Sequence, residues 1–127
     1  MKEPLLTALL ISLGGALGTV LRYLLTQLAQ RLYGNSMLGT LFINILGSLG
    51  LGVLLGLEIN HQALISFFEL GIFGGFTTFS MFILELVQRK SANLWITFSY
   101  ITFSIVFSML AVVLGMHLGG QLLVGGL

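Results

Sequence analysis

The sequence predicts an all-α membrane protein with four transmembrane helices, and three observations carry that prediction. Of 127 residues, 57% are hydrophobic and 7% charged, against about 25% charged in an average soluble domain. Mean hydropathy is +1.08. The charged residues are Lys2, Glu3, Arg22, Arg31, Glu58, Glu69, Glu85, Arg89 and Lys90, so residues 32–57 and 91–127 carry none. A helix needs about 20 apolar residues to cross the hydrocarbon. Spans are expected at about 5–31, 36–57, 63–88 and 93–118, joined by the short connections "RLYGNS", "LEINHQ" and "RKSAN". Residues 1–127 then form a single four-span domain. The spans leave no room for a soluble catalytic domain, and the activity is expected inside the bilayer.

The first span opens with "MKEPLLTALLISL", a short basic start before an apolar core, as in a signal peptide. The rest of the chain is equally apolar, which favours a membrane span. Gly14, Gly18, Arg22, Thr26 and Gln30 recur every four residues and share one helix face. An arginine in mid-span costs about 2.5–3.5 kcal/mol on insertion scales and normally faces protein or water. Arg22 fits an electropositive site or a structural anchor at an aqueous opening; the competing reading is snorkelling to the nearer surface.

In the second span Thr40, Asn44, Ser48, Gly52 and Gly56 repeat the pattern. Small residues at this spacing let membrane helices approach closely, which accounts for Ser48, Gly52 and Gly56. Asn44 carries an amide that either lines a pathway or bonds between helices.

The third span contains "IFGGFTTFSMF", residues 72–82. Gly74 and Gly75 make a helix break easy, and Thr77, Thr78 and Ser80 supply hydroxyls for the groups it frees. Backbone that leaves the helix at membrane depth must be buried in protein or line a cavity. The expectation is a broken third helix whose freed carbonyls form a candidate cation site, against a kinked but continuous one. Phe79 and Phe82 fall on one face beyond it. Aromatic ring edges are electropositive, so they could hold a small anion in a narrow passage. The fourth span continues the polar pattern with Tyr100, Ser104 and Ser108.

If the spans alternate, one side carries Lys2 and the other Arg31, Arg89 and Lys90. That lean toward cytoplasmic first and third loops is weak, and is compatible with insertion in both orientations. Four helices enclose too little volume for a polar pathway, so a homodimer is expected, with an antiparallel arrangement open to it. Zero cysteines exclude thiol chemistry. Net charge of +1 offers no basic surface for nucleic acid. No nucleophile stands beside a base, and His61 and His117 lie near predicted span ends, so an enzyme is not expected.

The pieces "GGALGTVLRY" (14–23), "GTLFINILGS" (39–48) and "FGGFTTFSMF" (73–82) closely resemble the Fluc, or CrcB, family of fluoride channels. The three motifs occur in the right order, and length and four-span layout agree. The resemblance implies an antiparallel, dual-topology homodimer in the bacterial inner membrane, with two pores that let fluoride leave the cell passively and so relieve its toxicity. It implies that Phe79 and Phe82 are the pore phenylalanines, Asn44 the pore asparagine and Arg22 the first-helix arginine. It implies further that backbone carbonyls of Gly74 and Thr77 from both subunits hold a central structural sodium ion, Na+. Thr40, Ser80, Glu85, Tyr100, Ser104 and Ser108 belong by the same likeness to a polar track. At position 81, where relatives often carry threonine or serine, this chain has Met81, which removes any hydroxyl there.

Two other classes compete. A small multidrug-type dual-topology transporter has similar length but needs a mid-membrane carboxylate, and all four glutamates lie near predicted span ends. A non-transporting packing subunit would explain the glycines but leaves Arg22 and the interrupted third span unexplained.

Overall fold

A computed structural model describes residues 3–88 and 93–126. Lys2, Arg89 and Lys90, on which the orientation argument leans, lie outside the described residues, as does most of the "RKSAN" connection. All regular secondary structure among the described residues is helical. α1 is Pro4–Tyr33, α2 is Ser36–Gly56, α3 covers 62–76, α4 is Ser80–Gln88 and α5 is Leu94–Gly125. Four stretches are long and apolar enough to cross a membrane: α1, α2, Gln62–Gln88 and α5.

Helix ends follow local chemistry. Pro4 stands in the first turn of α1, where its missing N–H costs nothing. Gly34 closes that helix in the left-handed conformation (φ 64°), and its N–H returns to the Gln30 carbonyl. Asn35 caps α2 by accepting from the Met37 N–H at 2.9 Å, and Asn93 does the same for α5 through Trp95 at 3.1 Å. α5, the fourth span, runs to Gly125, past the expected end near 118. Gly119 continues the packing against α2 there, with its Cα facing the Val53 carbonyl.

The glycine faces set the packing. In α1, Gly14 lies against the Phe67 carbonyl and Gly71, and Gly18 against the Ile72 carbonyl and Phe76 N. In α2, Gly52 meets the Val112 carbonyl and Gly56 the Met116 carbonyl, while Gly115 of α5 meets the Leu49 carbonyl. A Cβ at any of these would collide with main chain. Partner numbers rise together along each pair, so α1 runs parallel to α3 and α2 parallel to α5, as alternating spans require. Such close approach is how helices gain dispersion contact where lipid offers no hydrophobic drive. Residues 65–73 of α3 are π-helical, a feature the sequence reading did not anticipate.

Candidate functional site

The third span loses its helical pattern after Phe76. Gly74 itself is α-helical (φ −63°, ψ −37°), and the departure comes at Thr77, which is extended (φ −74°, ψ 153°). Gly75 therefore serves packing rather than the turn: it lies against Gly15 of α1, where a Cβ would clash with main chain. What holds residues 77–79 in place is side-chain chemistry. Asn44 Nδ2 donates to the Thr78 carbonyl at 3.0 Å, and the Thr78 N–H donates back to Asn44 Oδ1 at 2.9 Å. Thr78 Oγ1 accepts from the Met81 N–H at 3.2 Å and so caps the start of α4.

These bonds redirect two main-chain donors. In a continuous helix each N–H pairs with the carbonyl four residues earlier, so Thr78 N–H would reach Gly74 and Met81 N–H would reach Thr77. Both go to side chains instead. The carbonyls of Gly74 and Thr77 are thereby released from helical pairing. Arg22 Nη1 approaches the Thr77 carbonyl at 3.4 Å, and the Thr77 hydroxyl donates to the Phe73 carbonyl at 3.0 Å. Gly74 is exposed in the single chain.

Two grooves flank residues 77–79. One, of about 370 Å³, is lined by Asn44, Ser48, Thr77, Thr78, Phe79, Phe82, Ser104 and Ser108 together with Leu51 and Ile105. It gathers six of the expected site residues, Asn44, Thr77, Phe79, Phe82, Ser104 and Ser108, from α2, the segment 77–79, α4 and α5. Phe79 is 75% exposed and Phe82 only 6%; their ring centroids are 6.0 Å apart, tilted by 36°. The other groove, of about 400 Å³, contains Arg22, Thr26, Gln27, Thr78 and Ser80. Arg22 and Ser80 are thus separated from the phenylalanine groove by the interrupted segment.

Thr40 and Tyr100 lie in a third grouping. Phe82 stacks on Tyr100 with centroids 5.3 Å apart, and the Tyr100 hydroxyl donates to the Met37 carbonyl at 3.1 Å. The Thr40 hydroxyl donates to Glu85 Oε1 at 2.8 Å. Glu85 is 7% exposed, and its Oε2 finds no protein partner. Among the described residues, no three His, Cys, Asp or Glu side chains cluster as metal ligands. Any cation at the interruption would be held by neutral carbonyl oxygens, hard donors that suit an alkali or alkaline-earth ion. Thr78 is the residue whose importance the sequence understates. Its hydroxyl and place after the glycine pair were visible, but its clasp by Asn44 was not.

The family model described as "CrcB-like protein, Camphor Resistance (CrcB)" matches residues 9–116. The chain belongs to the CrcB family. Among relatives of this CrcB protein, one from Carboxydothermus hydrogenoformans, named "Fluoride-specific ion channel FluC 1", is 42% identical over 87% of this chain and 90% of its own. A second, from Paracoccus denitrificans and named "Fluoride-specific ion channel FluC", is 40% identical over 89% of this chain and 94% of its own. A third, "Fluoride-specific ion channel FluC 2" of Staphylococcus epidermidis, is 39% identical over 87% and 92%. Family membership and four spanning helices make this CrcB chain a multi-pass membrane protein of an ion-channel family rather than an enzyme.

Proposed function

We propose that the chain is a fluoride-selective channel through which cytoplasmic fluoride leaves passively, working as an antiparallel, dual-topology homodimer in the bacterial inner membrane. The observation that carries this is the convergence of Asn44, Phe79, Phe82, Ser104 and Ser108 on one groove beside main chain that has left the helix. The names of the relatives supply the ion.

Fluoride is small and strongly hydrated, so a pore that strips its water must return hydrogen bonds at close range. Asn44 spends one Nδ2 hydrogen on Thr78 and keeps the other. Because Oδ1 accepts from Thr78 N–H, the amide cannot flip to turn its oxygen toward an anion. Ser104 and Ser108 offer hydroxyls, and Phe79 and Phe82 offer ring edges. Arg22, on the other groove, lends a positive field to the approach.

The carbonyls of Gly74 and Thr77, freed of helical partners, would hold Na+ together with their copies from a second subunit. Such an ion would supply fixed positive charge joining the two interruptions. The exposed Gly74 suits an atom shared across a dimer. The transporter reading gains no comparable support, since the relatives carry ion-channel names.

Expression in a bacterium made fluoride-sensitive by loss of its own exporter tests the reading. Restored growth in fluoride is the expected result; no protection from a protein that reaches the membrane contradicts it.

A further inference from the structure

The two grooves are separated by residues 77–79, and one residue lines both: Thr78. It is 8% exposed. Its main chain is clasped on both sides by Asn44, and its Oγ1 lies 3.3 Å from Ser80 Oγ.

Because Thr78 Oγ1 already accepts from the Met81 N–H, its own hydrogen has two destinations, Ser80 Oγ or a passing ion. If Thr78 donates to Ser80, the hydrogen left free belongs to Ser80, which lines the Arg22 groove. If Ser80 donates to Thr78, the free hydrogen belongs to Thr78, which lines both grooves. One flip of the pair therefore shifts the free donor from a residue of the Arg22 groove to the residue the two grooves share, without any change of backbone. An anion needs such a handover where its water is removed, and hydrogen bonds to a charged group are stronger than those between neutral groups.

We infer that Thr78 and Ser80 form a paired-hydroxyl station that passes the anion between the Arg22 groove and the phenylalanine groove, with Thr78 as the connecting residue. The inference rests on the channel reading above and adds to it a residue and a step.

The test is fluoride efflux from liposomes containing the full-length protein and its Thr78→Val, Thr78→Ser, Ser80→Ala and Thr78→Val/Ser80→Ala variants, with thermal stability measured alongside. Thr78→Val should lower fluoride flux by about tenfold or more, the cost of one charge-assisted hydrogen bond, and Thr78→Ser should keep it. Loss of the α4 cap alone would lower stability in Thr78→Val without affecting Ser80→Ala, whose Met81–Thr78 bond is intact. Ser80→Ala therefore keeps the inference testable if Thr78→Val fails to fold. Its flux should also fall by about tenfold, and the double variant should be no slower than the slower single one. Wild-type flux in either Thr78→Val or Ser80→Ala overturns the station, as does multiplication of the two effects in the double variant. Absence of flux in the unaltered protein would instead overturn the channel reading beneath it.

Discussion

Asn44 and the two phenylalanines carry the argument at the scale of single residues. Asn44→Asp keeps an acceptor for the Thr78 N–H but sets a carboxylate against the Thr78 carbonyl and against any anion in the groove. Fluoride flux through that variant should be abolished, and efflux measured from liposomes checks it. Phe79→Ile and Phe82→Ile remove the ring edges while keeping apolar bulk. Each should lower fluoride flux by about threefold to tenfold, the scale of an aromatic interaction, with the assembly still eluting at its usual size. Unchanged flux in both would take the rings out of the mechanism. The sequence showed that Asn44 was too polar for lipid, but not which groups it would satisfy. Its partners are the main chain of Thr78, 34 positions away, and no local pattern encodes that. Glu85 is similar: its charge and position near a span end were legible, whereas its burial against Thr40 depends on how α4 lies on α2.

At the scale of helices, the small-residue stripes were the most readable feature. Their four-residue spacing is a property of one helix face, and Gly14, Gly18, Gly52 and Gly56 all meet main chain of a neighbour. Gly52→Leu should therefore prevent α2 from seating on α5. Loss of the folded protein from detergent extracts, seen by size-exclusion chromatography, is the expected outcome, since the collision is with the Val112 main chain rather than a movable side chain. Gly120, which has open space around it, should accept alanine with stability unchanged. The π-helical turns of 65–73 were not legible, because apolar periodicity does not distinguish five-residue from four-residue hydrogen bonding over so short a run. The position of the interruption was legible only approximately. The glycine pair drew attention to 74–75, but the main chain departs at Thr77, where Asn44 and the Thr78 hydroxyl capture the donors a helix would use.

At the scale of the whole molecule, the proposed dimer accounts for features that one chain leaves open. Gly74 is exposed, and so is Phe79. If two interruptions meet around sodium, removing Na+ should weaken the dimer; exchange into a larger cation such as N-methylglucamine should lower its melting temperature, and equal stability in both would contradict the shared site. The weak balance of one basic residue against three is compatible with insertion in both orientations. Cysteine placed in the "LEINHQ" connection should be labelled from both sides of the membrane, and labelling from one side alone would exclude dual topology. The number of spans and their approximate positions were readable because the bilayer imposes length and hydropathy on each segment independently, although the last helix extends to Gly125, beyond its expected end. Assembly was not, since it depends on surfaces that only the folded chain creates.

The central claim is selective, passive fluoride conduction, and efflux from liposomes holding only the purified protein tests it most directly. A fluoride electrode follows release after the membrane potential is collapsed, with a matched chloride control. The account predicts rapid fluoride loss with no chloride loss and no requirement for a proton gradient. Well-folded protein that releases neither ion, or both at similar rates, would contradict it.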